Sequence, residues 1–210
     1  MKARCPHLVL RDVLGSAAVA SLLDYAVARE PDFRPALAYD RGSGERSIDT
    51  GRRDCLLLDD LGPFLEPVDA FVRSIVASSL AELRMDERAG EPREFEISAY
   101  GDGGHFGAHV DTVETLRRVR VLSCVYYFSA TPRRFAGGEL RLYGLPALPG
   151  KATAGPAFVD VAPDADSLVV FPSWMRHEVL PVHAASGGWA GRRFAINCWI
   201  HRGAPAGERS

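Results

Sequence analysis

The sequence has little of what marks the specialised protein classes. Its 210 residues include only four cysteines, and these form neither a Cys-x-x-Cys pair nor a zinc-finger spacing. No apolar run approaches the ~18 residues of a membrane span, and the run Leu8–Leu10 is too short for a signal peptide. We therefore expect a cytoplasmic protein with reduced cysteines and no membrane partner.

The sequence also lacks an excess of charge of either sign. Lysine and arginine number 25 against 27 acidic residues, which gives a formal net charge of −2. The arginine pairs are dispersed and offset by acids, so we expect no nucleic-acid partner. With 47% hydrophobic residues, no internal repeat and no low-complexity linker, the chain is expected to form a single domain over residues 1–210.

Two segments in the first part of the chain have helical periodicity. Residues 12–29 predict a helix with Asp12 as its N-cap, and residues 64–85 predict a second helix with one apolar stripe. The segment between them, 31–60, is rich in proline, glycine and arginine and predicts loops with one strand at 54–58. The N-terminal part, about 1–90, is therefore expected to be helical, and it contains no motif that points to a chemistry.

From Pro92 onward the pattern changes to short segments rich in Val, Ile, Phe and Tyr, separated by turn residues. Two helices followed by about eight short strands favour an antiparallel barrel-like sandwich, of which the jelly roll is the commonest closed form. We expect a mainly β (α+β) fold with a jelly-roll core over about 92–201 and the N-terminal helices packed on one outer face. The predicted strands are 95–100, a strand carrying His109 and Asp111, 118–129, 139–143, 158–161, 167–171, 177–182 and 193–201.

Within this core, the glycine-rich bend after Ile97–Tyr100 leads into a strand that carries His109 and Asp111. Side chains two apart on a strand project from the same face, so this imidazole and carboxylate can bind one cation. His177 follows a buried strand and a proline turn, 66 residues after Asp111. Two histidines and one carboxylate with open positions are typical of non-haem Fe(II) oxygenases, whereas structural zinc sites usually close with four protein ligands.

Two further residues lie where such a site could use them. Arg193 begins the last predicted strand, and alternation directs its guanidinium into the barrel, where it can bind a carboxylate bidentately, while Arg192 points the other way. Tyr127, on the strand that begins near residue 118, offers a hydroxyl group near the same position, and Tyr126 faces the opposite side.

Taken in order, these motifs resemble the prolyl 4-hydroxylase-like branch of the Fe(II)/2-oxoglutarate-dependent dioxygenase family, which includes the oxygen-sensing prolyl hydroxylases. The resemblance covers about residues 95–201, and the ordered set is specific where each motif alone is not. It implies a double-stranded β-helix (jelly roll) fold. The residues that carry it are His109-Val-Asp111, Tyr126-Tyr127-Phe128, Gly137-Gly138-Glu-Leu140-Arg141-Leu142, His177-Glu-Val-Leu-Pro181, Arg193-Phe-Ala-Ile196 and Trp199.

The resemblance also implies a set of ligands. Fe(II) is expected on His109, Asp111 and His177, which would be both the metal ligands and the catalytic centre. The cosubstrate 2-oxoglutarate would chelate the iron through its keto-acid end, and its far carboxylate would pair with Arg193, helped by Tyr127. O2 would bind at the remaining position on the metal, and ascorbate is a candidate reductant.

Three more residues match the family pattern near the cosubstrate. Tyr100 matches the tyrosine just upstream of the His-x-Asp motif, Leu140 matches a position that packs on 2-oxoglutarate, and Trp199 matches an aromatic residue in the last core strand. The segment 31–60 and the loop 112–118 are expected to border the barrel mouth, because loops on a rigid scaffold usually carry specificity. The loop 183–191 is longer than expected for the oxygen-sensing enzymes.

The activity that the resemblance implies is hydroxylation of an unactivated C–H bond, with release of succinate and CO2. Aspartate at 111 favours hydroxylation over halogenation, because the related halogenases leave that ligand position for chloride. The substrate is a small molecule or a peptide: a prolyl residue, an amino acid or a biosynthetic intermediate. Two alternatives stay open, namely desaturation, epoxidation or cyclisation by the same apparatus, and a catalytically silent metal-binding partner protein.

Other polar residues have competing interpretations. His105 lies on the same predicted strand face as His109 and is a candidate substrate contact, although the neighbouring glycines disturb the pattern. His7, His183 and His201 are interpreted as surface or core histidines. Asn197 is interpreted either as a hydrogen-bonding neighbour of the site or as a satisfied polar residue in the barrel.

Overall fold

The computed structural model describes residues 5–39, 46–86, 89–112, 120–144, 157–184 and 188–203. Within these ranges the chain forms two α-helices, three 3-10 turns and sixteen mostly short strands. In chain order they are β1 (Leu8–Arg11), α1 (Ser16–Ala28), a 3-10 turn (Glu30–Asp32), β2 (Arg34–Pro35), β3 (Ala38–Tyr39), β4 (Arg46–Ser47), β5 (Arg53–Asp54), β6 (Leu56–Leu58), a 3-10 turn (Gly62–Phe64), α2 (Leu65–Glu82), β7 (Ala89–Tyr100), β8 (His105–His109), β9 (Arg120–Phe128), β10 (Ala136–Gly137), β11 (Leu140–Tyr143), β12 (Phe158–Val161), β13 (Ser167–Pro172), β14 (His177–Val179), β15 (Val182–His183), a 3-10 turn (Trp189–Gly191) and β16 (Arg193–Arg202).

Two antiparallel sheets form the barrel. The larger sheet has the order β1-β13-β9-β16-β7-β6-β2, and the smaller has the order β12-β11-β14-β8-β5. Between them lies an apolar cluster that takes Tyr127, Phe171 and Ala195 from the larger sheet and Leu140 and Leu142 from the smaller one. The predicted mainly β (α+β) double-stranded β-helix, or jelly roll, is confirmed.

Both helices pack on the outer face of the larger sheet. Leu22 of α1 and Val72 of α2 are buried in one cluster with Phe194, Ile196 and Cys198 of β16. Strand alternation explains this packing, because these three β16 residues project outward while the residues between them project into the barrel. The predicted placement of the helices on one outer face is therefore confirmed.

The start of the first helix differs from the prediction. Helix α1 begins at Ser16, and its N-cap position is Gly15, which provides no side-chain cap. Asp12 lies before the helix with a φ of 55° and cannot act as the N-cap. The carboxylate of Asp166 accepts hydrogen bonds from the backbone N–H groups of Leu14 and Gly15 instead, so a residue distant in the chain fixes the entry to the helix.

Some strand boundaries also differ. The predicted strand 177–182 is two strands in different sheets, because Pro181 has no N–H to donate and interrupts the ladder. The strand β1 was not predicted, and the segment 31–60 forms several two- and three-residue strands rather than one. The predicted loop 112–118 falls almost entirely outside the described residues, as do positions 185–187 of the loop 183–191.

Candidate metal centre and cosubstrate pocket

Three potential metal ligands meet at one end of the barrel. The ligand atoms of His109, Asp111 and His177 all lie within 4.8 Å of one another. Nε2 of His109 is 3.5 Å from Oδ1 of Asp111, and Nε2 of His177 is 3.5 Å from Oδ2 of the same carboxylate. Strands β8 and β14 pair antiparallel with His177 directly opposite His109, so neighbouring strands bring the distant histidine to the His-x-Asp motif.

Backbone carbonyls fix the orientation of both imidazoles. Nδ1 of His109 lies 2.9 Å from the carbonyl oxygen of Gly107, and Nδ1 of His177 lies 2.9 Å from that of Met175. A carbonyl oxygen only accepts, so each Nδ1 carries a proton and each Nε2 presents a lone pair to the centre. This is the tautomer that a metal-binding histidine needs, stabilised by the outer hydrogen bond that such ligands usually make.

Asp111 is held by two serines that were not among the predicted residues. The hydroxyl of Ser123 donates to Oδ2 of Asp111 at 2.6 Å and lies 2.9 Å from the hydroxyl of Ser173. The backbone N–H of Asp111 donates to the carbonyl of Ser173. Ser123 could have been suspected from the sequence, because it occupies the inward face of an apolar strand, four residues before Tyr127.

The surroundings favour the charge states that bind a cation. Burial alone would raise the pKa of Asp111, but His177, His109 and the Ser123 hydroxyl outweigh it and hold that pKa well below its usual range. Burial lowers the pKa of His177 to about 4, against the opposing effect of Asp111. At neutral pH the cluster therefore offers an ionised carboxylate and, at His177, a neutral imidazole, as metal ligation requires.

A β-bulge shapes the strand that carries His109. In the ladder with β14, Val179 comes two positions after His177, whereas its partner Phe106 comes three positions before His109, so β8 contains one extra residue. Phe106 and His109 consequently project from one face, and their rings stack with centroids 3.6 Å apart. This bulge overrides the simple alternation that placed His105 beside His109.

At the other end of the barrel lies a buried guanidinium. Arg193 is 1% exposed, and its Nε donates to the carbonyl oxygen of Gly138 at 2.8 Å. Its guanidinium carbon is 4.9 Å from the ring centroids of both Tyr100 and Tyr127. No carboxylate in the described part of the chain pairs with Arg193.

Two buried polar atoms at this end have no hydrogen-bond partner among the described residues: Nη2 of Arg193 and the hydroxyl oxygen of Tyr127. Buried polar groups are nearly always satisfied, and an unpartnered guanidinium nitrogen is especially costly. A ligand carboxylate would satisfy both atoms, because it accepts from a guanidinium and from a hydroxyl. The residues present therefore fit the distal carboxylate of 2-oxoglutarate.

The remaining predicted pocket residues surround this guanidinium. Leu140, 2% exposed, packs in the same cluster as Tyr127, and Tyr100 is directly opposite Arg193 in the ladder between β7 and β16. Gly138 makes room for the arginine: a Cβ added there would lie 2.8 Å from Cδ of Arg193. The Gly-Gly turn before Leu140 thus has a direct steric purpose.

Trp199 lies at the opposite end from these residues. It is directly across from Ser123 in the ladder between β16 and β9, and the Arg120 guanidinium carbon lies 4.0 Å from its ring centroid. It lies six positions after Arg193 along the extended strand β16, a distance of about 20 Å. Its position places Trp199 at the metal end of the barrel rather than beside the guanidinium.

The structure also places the other polar residues considered from the sequence. Both ring nitrogens of His105 contact backbone carbonyls, those of Gly103 and Gly51, so this ring is turned away from the cluster. The buried His201 lies 2.7 Å from a Glu94 carboxylate oxygen. The Asn197 amide donates to Glu96 and Ser98. His7 lies beside the Cys5 carbonyl, and His183 is exposed.

Fold and site together define a class of protein, a jelly-roll barrel with the two-histidine, one-carboxylate cluster of non-haem iron oxygenases. Residues 95–201, about half of the chain, match the family model of the 2OG-Fe(II) oxygenase superfamily. The chain belongs to this superfamily.

No helix in the described part of the chain is long and apolar enough to cross a membrane.

Individual relatives agree with this membership. Over 109 residues, 52% of this chain, the sequence is 36% identical to an uncharacterised PKHD-type hydroxylase of Synechocystis sp.. That match spans only 36% of the relative's own length.

Solved structures share the fold. A prolyl 4-hydroxylase of Pseudomonas putida superimposes with a TM-score of 0.67 over 94% of this chain and 93% of its own, at 20% identity. A Trichoplax adhaerens prolyl hydroxylase, in complex with a peptide fragment of the hypoxia-inducible factor oxygen degradation domain, gives 0.64 over 94% and 84%, also at 20% identity.

Proposed function

We propose that this protein is an Fe(II)- and 2-oxoglutarate-dependent dioxygenase that hydroxylates an unactivated C–H bond and releases succinate and CO2. The observation that carries the proposal is that one barrel contains both a preorganised His109–Asp111–His177 cluster and, at its other end, two buried polar atoms with no hydrogen-bond partner among the described residues. These atoms are the hydroxyl of Tyr127, on the same face of β9 as the supporting Ser123, and Nη2 of Arg193 on the neighbouring strand β16. Ser123 and Tyr127 are four residues apart, about 13 Å along the strand, so both ends open on one interior.

The two ends would divide the binding. His109, Asp111 and His177 would hold Fe(II), and Arg193 with Tyr127 would hold the distal carboxylate of 2-oxoglutarate. When bound, the metal and the cosubstrate supply O2 activation coupled to oxidative decarboxylation, chemistry that side chains alone do not provide.

The protein's own contribution is orientation and exclusion of water. The Gly107 and Met175 carbonyls hold the two imidazoles with Nε2 facing inward, and Ser123 holds the carboxylate. Phe106 stacks on one imidazole, and Phe171 lies edge-on to that of His177 at 4.8 Å. These rings and the apolar cluster around Leu140 make the interior dry, where the charge of Arg193 acts strongly on an anion.

The names of the relatives favour a peptidyl substrate, and a prolyl residue in particular. The two solved neighbours described above are called prolyl hydroxylases, and one of them is in complex with a peptide. Asp111 occupies the third ligand position, which favours transfer of hydroxyl over halide. We propose ascorbate as a reductant that maintains Fe(II).

The test is a turnover assay with Fe(II), 2-oxoglutarate, O2 and ascorbate, in which succinate is measured with and without a set of proline-containing peptides, free proline and other amino acids. We expect slow succinate formation without substrate, stimulation by one substrate class, and a product heavier by 16 mass units. A product lighter by two mass units would indicate desaturation instead. No succinate from the fully loaded protein would support the alternative of a silent metal-binding jelly roll.

A further inference from the structure

Arg53 is placed against the aromatic ring that covers one of the candidate metal ligands. In the ladder between β5 and β8, Arg53 lies directly opposite Phe106. Its guanidinium carbon is 4.5 Å from the Phe106 ring centroid, a cation–π distance. The same ring stacks on the His109 imidazole with a centroid distance of 3.6 Å and an angle of 19°. Phe106 thus contacts both the cation and the ligand.

A carboxylate from the other sheet holds the guanidinium in place. Nη2 of Arg53 lies 3.0 Å from Oε1 of Glu96, and the two side chains are only 13% and 15% exposed. The same Glu96 oxygen accepts a hydrogen bond from the amide of Asn197 on β16 at 3.1 Å, and that amide also donates to Ser98. The ion pair therefore ties the edge strand β5 of the smaller sheet to the centre of the larger sheet, next to the metal cluster.

This arrangement is a poor device for stability alone. Removing two charges from water is expensive, and buried ion pairs often contribute no more to stability than apolar residues of similar volume. Moreover, Nε of Arg53 is buried without a hydrogen-bond partner among the described residues. A buried cation with an unsatisfied donor suggests that its position, rather than its contribution to folding, is what the site requires.

We propose that Arg53, anchored by Glu96, is a positioning residue that keeps Phe106 stacked on His109 and so fixes the plane of this imidazole. The hydrogen bond from Nδ1 to the Gly107 carbonyl fixes one point of the ring but leaves it free to tilt about that contact. The stacked Phe106 removes the tilt, and the cation–π contact with Arg53 holds the phenyl ring where it is needed. This inference rests on the proposed metal site.

The experiment is a titration of the metal-free protein with Co(II), following affinity and the visible ligand-field spectrum, in wild type, R53M, R53K and E96Q. The control is R141M. Arg141 makes the same kinds of contact on the same sheet, an ion pair with Asp160 at 2.7 Å and a guanidinium 4.2 Å from the Phe158 ring, but on the solvent-facing side. Thermal unfolding of each metal-free variant separates folding from ligation.

We expect R53M to bind Co(II) about tenfold more weakly with an altered spectrum, since outer partners of metal ligands typically change affinity by 10- to 100-fold. R53K should restore most of the affinity because it returns a cation to Phe106. R141M should match wild type. If R53M does not fold, E96Q is the decisive variant, with an expected loss of at least about threefold because the guanidinium loses its anchor.

Wild-type affinity and spectrum in R53M, or in E96Q where R53M fails to fold, would overturn the proposal, as would a loss in R141M equal to that in R53M. A lower unfolding temperature in R53M with an unchanged Co(II) spectrum would also overturn it, since the role would then be structural only. If wild type and H109A both bind no Co(II), the proposed metal site itself fails, an outcome distinct from these.

Discussion

At the metal end of the barrel each imidazole nitrogen that faces away from the cluster meets a backbone carbonyl, and the Asp111 carboxylate accepts from Ser123. At the guanidinium end, Nη2 of Arg193 and the Tyr127 hydroxyl have no hydrogen-bond partner in the described part of the protein. Under the proposed function, the first end presents ligands to a cation, and the second presents donors to an anion.

The two ends differ because a metal ligand and a cosubstrate pocket have different requirements. Metal ligands need outer partners that fix the tautomer and the ring plane before the ion arrives, so the protein supplies them itself. A pocket for a dissociable cosubstrate must instead leave donors open, because donors satisfied by the protein would compete with the ligand. Mutations at the two ends should therefore separate metal affinity from 2-oxoglutarate affinity.

The largest expected effect is that of D111A. Removing the carboxylate leaves two imidazoles, and we expect Fe(II) affinity to fall by more than about 100-fold, because even outer partners of ligands cost 10- to 100-fold. Succinate formation should become undetectable. Fe(II) titration under anaerobic conditions measures the first quantity, and wild-type affinity in D111A would refute the assignment of this ligand.

R193M should have the next largest effect, at the other end. We expect 2-oxoglutarate affinity to fall roughly 10- to 100-fold, since hydrogen bonds to charged groups contribute about 1.5–3 kcal/mol, while Fe(II) affinity stays unchanged. The control is R192M: Arg192 packs on the Trp189 ring and is only half-buried, so its loss should leave both affinities unchanged. Equal losses of 2-oxoglutarate affinity in R193M and R192M would contradict the assignment of Arg193 as the residue that binds the distal carboxylate.

S123A tests whether a change at the metal end alters Fe(II) affinity alone. Asp111 loses its hydroxyl partner but keeps the backbone contact to Ser173, so we expect Fe(II) affinity to fall about tenfold with little direct change in the affinity for the distal carboxylate. Calorimetry of metal binding is the measurement. An S123A protein that loses 2-oxoglutarate binding while keeping its Fe(II) affinity would show that the two ends are not separable in this way.

Y127F should have the smallest effect on ligand affinity. It should weaken 2-oxoglutarate binding without lowering the stability of the ligand-free protein. The loss of one hydrogen bond from a neutral donor, with the Arg193 guanidinium still present, should lower 2-oxoglutarate affinity about fivefold. The ligand-free protein, in contrast, loses a buried hydroxyl that has no hydrogen-bond partner among the described residues, so its unfolding temperature should be unchanged or higher. A marked decrease in that temperature would mean that the hydroxyl has a partner in the free protein.

The sequence predicts the features of this molecule that follow from the two-residue alternation of side chains along a strand. Strand alternation separates Arg193 from Arg192 and Tyr127 from Tyr126, and the structure places the first member of each pair inside the barrel. The jelly roll also follows from the spacing of short strands. These features depend on residues close together in the chain, where the period of the backbone decides which face a side chain occupies.

The sequence does not predict features that depend on pairing between distant segments. The bulge that brings Phe106 onto His109 is defined only by the register of β8 against β14. The entry to α1 depends on Asp166, more than 150 residues away, and the Arg53–Glu96 pair joins two sheets. Local patterns carry no information on these contacts, which tertiary packing decides.

The measurement that tests the account most directly is an anaerobic titration of 2-oxoglutarate into wild-type protein and R193M, each loaded with Fe(II). We expect one molecule bound per wild-type chain and a roughly 10- to 100-fold weaker affinity in R193M, with the iron retained in both. Wild-type protein that holds iron yet binds no 2-oxoglutarate, or R193M that binds it as tightly as wild type, would contradict the account.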